Sequence, residues 1–371
     1  MLKVGIVGLR RGALFADIFS RMPECQVTAV CDLRPDLAAA VAAVHPGAVA
    51  YTDYDLMVEK DVDVVVVATP IDSHVEQSAA ALSRNRHVLC EVPAAANLQD
   101  CRTLLKAVRA SKGKYMMAEN CNFWAFIESW REIVRQGRLG KILYAETEYI
   151  HDMRDLLRGP DGQPTWRAML PPIHYCTHSL GPILSLTEDR CAKVTAFSTG
   201  ANIIPGGPVD MEVALFQTAQ GALIKLLRGS IVERKPPSHY YSVYGARGVL
   251  ETSRSPEDPL GTTLAMFRDV PHLPRMLRLP LGIIHPNVPP ALAAGGHGTA
   301  EFVMARAFVR SILEDTQPPV DIAHALNMTV PGLIAHLSAE RGGEPLPIPD
   351  LAAEAEAEEE AKKAEEEGKK K

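Results

Sequence analysis

The 371-residue sequence has no apolar run approaching the roughly 18 residues that a membrane helix needs. It does not open like a secretory leader either. Met1-Leu2-Lys3-Val4-Gly5-Ile6-Val7-Gly8 enters a strand pattern at once, without the longer apolar stretch and small-residue cleavage site of a leader. Cysteines are few: the seven, at positions 25, 31, 90, 101, 121, 176 and 191, are scattered and form no Cys-x-x-Cys pair. That pattern fits neither a disulfide framework nor a zinc site and reads as free thiols in a reducing compartment. A cytoplasmic protein with no membrane partner is expected. No internal repeat is visible.

Excess charge is also scarce. The formal net charge is -6, and Leu351–Lys371 alone, with eight Glu and five Lys, carries -3 of it. The other 350 residues hold too little excess charge to suggest a nucleic-acid-binding surface, so no nucleic-acid partner is expected. The tail has no apolar stripe and reads as a solvated helix or a disordered segment. The whole chain, with 47% hydrophobic and 23% charged residues, has ordinary soluble globular composition, at a length that suits two domains.

Residues 1–121 alternate strand and helix. Strands are predicted at Lys3–Val7, Val27–Cys31, Val62–Ala68, His87–Glu91 and Tyr115–Ala118, with helices at Ala13–Arg21, Pro35–Val44, Ser73–Arg84 and Leu98–Ser111. The run Val64-Val65-Val66-Val67 is the mark of a strand buried on both faces. The fold class is therefore α/β, a Rossmann doubly wound parallel sheet. The pattern changes over residues 122–350. A helix at Phe126–Gln136 precedes alternating segments at Ile142–Tyr149, Val194–Ser198, Met211–Gln217 and Ala222–Val232; helices return at Ala300–Leu313 and Ile322–Arg341. This second part reads as an α+β domain with an open, mainly antiparallel sheet packed on one face by helices. Residues 351–371 form the charged tail.

Gly8-Leu9-Arg10-Arg11-Gly12-Ala13 lies between the first strand and the first helix, where a dinucleotide fingerprint belongs. Such a site needs a tight turn, backbone amides near a pyrophosphate and a helix N-terminus. Gly8 supplies the turn and Ala13 is placed for close helix packing, while Arg10 stands where the second glycine is usual. Asp32 ends the second strand, where a carboxylate would hold a ribose 2′-hydroxyl; this favours NAD over NADP. Arg34 is the competing signal for a 2′-phosphate, and a cap on the helix near Pro35 is the bland alternative for Asp32.

Thr69-Pro70, His74 and His87-Val88-Leu89-Cys90-Glu91-Val92-Pro93 together resemble the Gfo/Idh/MocA oxidoreductases, over nearly the whole chain short of the tail. The resemblance implies bound NAD, held from Gly8, Arg10, Arg11, Asp32, Thr69, Pro70, His74, Glu91 and Pro93. Family members carry Glu-Lys-Pro beside the nicotinamide, with a Lys that assists proton transfer; here the triplet is Glu91-Val92-Pro93, and valine carries no proton. The usual Asp-x-x-x-His is here His174-x-x-x-His178. Both departures are similar to the NAD-dependent glycosidase branch typified by bacterial α-N-acetylgalactosaminidases. That branch is also resembled by Ala118-Glu119-Asn120-Cys121, Tyr149-Ile150-His151-Asp152-Met153-Arg154, Trp166-Arg167, Tyr175-Cys176-Thr177-His178, Gly296-His297-Gly298 and Gly342-Gly343-Glu344-Pro345. By this resemblance Glu119, Tyr149, Arg167, Tyr175 and His178 line a sugar pocket, with Asn120, His151 and Arg154 beside them. An oligomer is implied as well.

The chemistry expected is transient oxidation of a glycoside at C3, removal of the acidified C2 hydrogen, departure of the C1 group, addition of water and reduction of the ketone. It needs two bases and not the paired carboxylates of ordinary glycosidases. His178 suits the 3-hydroxyl and Tyr149 suits C2, with Tyr175 and Glu119 orienting hydroxyls; the reverse assignment of the two bases stays open. Two other functions compete, an NAD(P)-dependent sugar or polyol dehydrogenase and a non-catalytic dinucleotide sensor. The residues also allow structural readings: a hydrogen-bonded His178, a capping Glu119, and a local salt-bridged loop of His151, Asp152 and Arg154. A metal held by His151, Asp152, His174 and His178 has suitable residue types but no close-spaced helical pair, and no metal is expected.

Overall fold

The computed structural model describes residues 1–159 and 161–369. The first part of the chain runs β1 (Leu2–Val7), α1 (Leu9–Ser20), β2 (Cys25–Cys31), α2 (Pro35–Val44), β3 (Val49–Tyr51), α3 (Tyr54–Val58), β4 (Val64–Val67), α4 (His74–Ser83), β5 (His87–Cys90), α5 (Leu98–Ala110) and β6 (Tyr115–Met117). The six strands are parallel in the order β3-β2-β1-β4-β5-β6. All four valines of β4 are buried between β1 and β5, as a strand covered on both faces requires. The pattern gave no sign of β3 and α3. β3 is a three-residue edge strand with two exposed side chains, too short to carry an alternation.

Helix α1 begins at Leu9, four residues earlier than the sequence pattern indicates. Gly8 is its N-cap in the left-handed region, at φ 83°. The early start turns Gly12, not Ala13, onto β1: a Cβ at Gly12 would lie 2.7 Å from Ile6 Cγ2. Ala13 is only half-buried, so the close-packing role read for it belongs to Gly12.

The second part contains α6 (Ala125–Arg135), β7 (Ile142–Ile150), α7 (Thr177–Thr187), β8 (Cys191–Ser198), β9 (Met211–Thr218), β10 (Leu223–Gly229), β11 (Ser238–Gly245), β12 (Gly248–Thr252), β13 (Thr263–Phe267), β14 (Leu277–Leu279), α8 (Ala300–Leu313), α9 (Ile322–Glu340), β15 (Leu346–Pro347) and α10 (Leu351–Lys369). Its nine-stranded sheet runs β14-β13-β12-β11-β7-β10-β9-β8-β15. It is antiparallel except at its centre, where β7 and β10 are parallel. Helix α7 packs on β7 and β11, and α9 packs on β8. The opposite face is open and leaves Leu215, Leu223, Tyr244 and Met266 exposed. The two parts are joined by more than the linker: Met117 Nα donates to the Val320 carbonyl at 2.9 Å, and α9 packs against α5.

The charged tail begins as a helix laid along α5. Leu351 is buried, Arg102 pairs with Glu354, and Arg109 pairs with Glu356 and Glu359. These exposed pairs are individually weak, so the buried Leu351 is the firmer anchor. Among the described residues no helix is long and apolar enough to cross a membrane.

His74 sits at the C-terminal edge of the parallel sheet, buried, with Nδ1 2.9 Å from the Pro93 carbonyl and Nε2 2.9 Å from the Thr69 carbonyl. A neutral imidazole has one N–H, so satisfying both carbonyls requires the imidazolium. Burial opposes that charge, but contact with Cys90 and the two carbonyls overcome it and push the pKa up to about 9. The raised value makes this stabilisation complete below about pH 6.5 and lost as pH climbs through about 9. His74→Leu is expected to destabilise the protein most at pH 6, by a few kcal/mol, with the deficit shrinking by pH 9.5. Urea denaturation at the two pH values checks this, and a deficit independent of pH contradicts it.

Candidate active site

The register of the second sheet builds the floor of the site. Tyr149 of β7 lies opposite Arg228 of β10 on one side and opposite His239 of β11 on the other. Residues opposite one another share a face, so three distant stretches of sequence meet in a row. The His239 ring stacks on Tyr149 at 4.1 Å, and the Arg228 guanidinium carbon lies 4.0 Å from the centre of the same phenol ring. Tyr149 Oη is 2.8 Å from His151 Nδ1. Burial pushes the Tyr149 phenol up to about 12, against the opposing pull of Arg228. Burial also drives His239 well below its ordinary value, and lowers His151 with help from Arg228.

His178 enters from the first turn of α7, above this row. Its ring lies 5.7 Å from that of Tyr149 and 5.1 Å from that of Tyr175, which it meets edge-on. Nδ1 is 2.8 Å from Glu119 Oε1. Glu119 follows β6 and is fully buried; the same oxygen accepts from Cys121 Nα at 3.0 Å. Gly181 permits this approach, since a Cβ there would lie 2.7 Å from Asn122 Oδ1 and 3.0 Å from Glu119 Cγ. Burial acts to raise the Glu119 pKa, but His178 outweighs it and the carboxyl is held below its usual range. A carboxylate on Nδ1 fixes the tautomer with its proton on that nitrogen, which leaves the Nε2 lone pair for chemistry.

A second His–carboxylate pair forms the rim toward the parallel sheet. His297 Nδ1 is 2.6 Å from Glu301 Oε1, which also accepts from Asn120 Nδ2 at 3.2 Å and Arg11 Nη2 at 3.3 Å. Arg11 Nε donates to Glu91 Oε1 at 2.7 Å. Burial opposes the charge on Arg11, yet Glu91 and Glu301 hold its pKa above the ordinary value. Val92, the middle residue of the Glu91-Val92-Pro93 triplet, is buried, and its Nα donates to Glu91 Oε2 at 3.2 Å.

These groups surround a cavity of about 970 Å³ whose lining includes Arg11, Glu91, Asn120, Tyr149, His151, Arg167, Tyr175, His178, His239 and His297. Six of the eight residues assigned to chemistry or sugar contact, Asn120, Tyr149, His151, Arg167, Tyr175 and His178, are thereby brought together. Glu119 is not on the wall but behind His178. Arg154 lies outside the cavity, where its guanidinium pairs with Asp152 and Glu233 on the surface. Arg154 draws Asp152 down to about 2. His174 faces His336 at 5.1 Å, and burial takes it down to about 3. The quartet considered for a metal is therefore not gathered. A different trio, Glu119, Cys121 and His178, has one ligand atom from each residue within 4.8 Å, but His178 and Glu119 already satisfy one another.

Arg228, His239 and Glu301 were not singled out by the sequence reading. A lone arginine inside the apolar strand Leu223–Gly229 was the signal for the first, and the His297/Glu301 spacing of four ahead of a helix was the signal for the last.

The edge of the parallel sheet suits a dinucleotide. Between β1 and β4, at the point where strand order reverses, α1 starts from Gly8 with no side chain capping it. A Cβ on Gly8 would lie 2.6 Å from Ala68 and Thr69 backbone atoms. Asp32 Oδ2 accepts from Leu9 Nα at 2.8 Å and Oδ1 from Arg34 Nα at 3.0 Å, so the carboxylate is held beside that turn and does not cap α2. Arg34 is drawn to Asp36 at 2.8 Å. Arg10 is exposed at the helix start, while Thr69, Pro70, His74 and Pro93 form the neighbouring loops pinned by His74.

Comparison with known proteins agrees with this geometry. Residues 2–119 match the family described as "Oxidoreductase family, NAD-binding Rossmann fold", and residues 286–356 match "Glycosyl hydrolase 109, C-terminal domain". A glycosyl hydrolase family 109 protein of Streptomyces niveus is 29% identical, covering 94% of this chain and 77% of its own. One from Solibacter usitatus is 27% identical, covering 94% and 88%. The fold is shared with a levoglucosan dehydrogenase solved with NADH and levoglucosan, at a TM-score of 0.81, 20% identity and coverage of 94% and 99%. The chain thus joins a Gfo/Idh/MocA NAD-binding domain at residues 2–119 to a glycosyl hydrolase 109 C-terminal domain at residues 286–356, the make-up of an NAD-dependent glycosidase or oxidoreductase.

Proposed function

We propose that the protein hydrolyses a glycoside by transient oxidation at C3. The observation that carries this reading is the pairing of two unlike bases over one cavity, with no proton carrier at position 92. His178 has its Nδ1 committed to Glu119, which leaves Nε2 to take the proton of the 3-hydroxyl. Bound NAD supplies the reversible oxidation and reduction of C3. The ketone acidifies the C2 hydrogen, and Tyr149, with His151 on its hydroxyl, is the base placed to remove it. Loss of the C1 substituent gives an unsaturated ketone; water adds at C1, a proton returns to C2, and reduction restores the sugar alcohol. Arg11, Asn120 and Arg167 supply donors to orient hydroxyls, and Tyr175 forms a wall beside His178. We assign the NAD-binding role to residues 1–121 and the sugar-binding role to residues 122–350, with self-association placed on the open face bearing Leu215, Leu223, Tyr244 and Met266.

The test uses aryl glycosides and the protein loaded with NAD. Steady release of the aryl alcohol is expected with no build-up of reduced nicotinamide, and turnover should stop when the bound cofactor is reduced beforehand. Stoichiometric NADH formation identifies a dehydrogenase instead and contradicts the proposal.

Two variants separate the bases. Tyr149→Phe should slow exchange of the C2 hydrogen with deuterated water by at least ~100-fold while sugar-dependent nicotinamide reduction survives. Glu119→Gln should slow the reduction step itself by about 100-fold, because the imidazolium formed on His178 loses its counter-charge. Nuclear magnetic resonance of the sugar reads the first and stopped-flow absorbance the second. Unchanged C2 exchange in Tyr149→Phe removes that residue from the step.

A further inference from the structure

Arg228 is a fully buried side chain at the centre of the second sheet. Its Nη1 donates to the carbonyls of Tyr149 at 3.0 Å and Gly229 at 2.6 Å, which locks the guanidinium in place. Nε and Nη2 are buried with no acceptor among the described residues, and no carboxylate lies within ion-pair distance. Glu212 of β9 is the neighbour in register, but its two oxygens are taken by His336 Nδ1 at 2.7 Å and Ile173 Nα at 2.9 Å. A buried cation left without a counter-ion is costly, which makes a group able to ionise beside it the natural partner to look for.

The groups able to supply that charge are few. Tyr149 lies face-on at 4.0 Å, Tyr175 lies at 5.9 Å, and Cys176 is the remaining acidic group close by. The other titratable groups around Tyr149 are the imidazoles of His151, His178 and His239, the guanidinium of Arg167, the Cys121 thiol and Glu119. The Glu119 carboxylate is already paired with His178, and both it and Cys121 act against ionisation of the phenol, which leaves Arg228 and Arg167 as the cations that favour it. His239 seals the other side of the phenol row as a neutral ring. His151 Nδ1, 2.8 Å from the Tyr149 hydroxyl, is placed to accept the phenolic proton, and its ring lines the cavity, which gives that proton a way out.

We propose that Arg228 is a positioning residue that stabilises Tyr149 as a phenolate, its missing counter-ion being the charge left behind when the Tyr149 proton is relayed through His151 to water in the cavity. No electron transfer is involved: the phenol O–H bond breaks, an N–H bond forms at His151 Nδ1, the imidazole gives up a proton to solvent, and the phenolate keeps the guanidinium as its partner. The proposal rests on the reading of Tyr149 as the C2 base, and it extends that reading by naming what makes a buried phenol basic enough to act near neutral pH.

The test installs 3,5-difluorotyrosine at position 149, whose phenol ionises well below the tyrosine range, and follows its fluorine resonance against pH without substrate. The parent protein, Arg228→Lys and Arg228→Met are compared with NAD bound. Arg228→Met should raise the phenol pKa by at least one unit, and Arg228→Lys, which keeps the charge, by less. In the unlabelled variants the ascending limb of the pH profile for C2 exchange, where the rate rises as the phenol ionises, should move to higher pH in the same order. Equal phenol pKa values in all three proteins overturn the proposal. If Arg228→Met does not fold, the same comparison is made between the parent and Arg228→Lys, where a shift supports and no shift overturns. The titration needs no turnover, so it can succeed or fail independently of the glycosidase reading.

Discussion

The hydrogen bond between Glu119 and His178 is the contact on which the rest of the site depends. It joins the end of the last parallel strand to the first turn of a helix that rides on the second sheet. One partner is a carboxylate kept charged in a fully buried position, and the other is the ring that faces the cavity. Breaking it would leave an uncompensated buried anion, free the imidazole to rotate and unfasten the two halves of the molecule near the cofactor. Gly181 is the steric condition for the contact, because any larger residue would push α7 away from the segment that carries Glu119.

Charge around the cavity follows the same logic of placement. Anions lie toward the parallel sheet, where Glu91 and Glu301 share Arg11; the cation Arg228 lies beneath the phenol row of the second sheet. Val92 sits between β5 and this anionic rim and adds no proton of its own. In the proposed mechanism, proton transfer is carried by residues of the second sheet and its helix instead of by the parallel sheet. His178 and Tyr149 are separate enough, at 5.7 Å between rings, to address different atoms of one sugar. The fold alone is shared with dehydrogenases such as the levoglucosan enzyme, so the chemistry has to be argued from these side chains.

Much of this was legible in the sequence, for physical reasons. The Val64–Val67 run can only be a doubly covered strand, and Asp32, expected at the end of its strand as a ribose ligand, does stand beside the Gly8 turn. Tyr175 and His178 are three residues apart at a helix start, so local geometry brings them together. Arg228 and His239 were not legible, because their meeting with Tyr149 depends on the register of three strands separated by long loops. The parallel pairing of β7 with β10 is likewise a long-range fact that alternation does not encode. Glu119 was read as a pocket residue and lies one layer deeper; a one-dimensional pattern places a residue near a site but does not say which side of its neighbour it occupies. Arg154 shows the opposite outcome: its neighbours in the motif reach the cavity, while its own side chain turns outward to Asp152 and Glu233.

The measurement that bears most directly on redox-assisted hydrolysis is the fate of two labels in one turnover. A glycoside carrying deuterium at both C2 and C3 is hydrolysed in ordinary water, and the released sugar is analysed by mass and by nuclear magnetic resonance. The account predicts loss of the C2 label to solvent and retention of the C3 label in the product. Retention of both labels would show hydrolysis without oxidation, and loss of the C3 label with accumulation of reduced cofactor would show net dehydrogenation; either result would contradict the account.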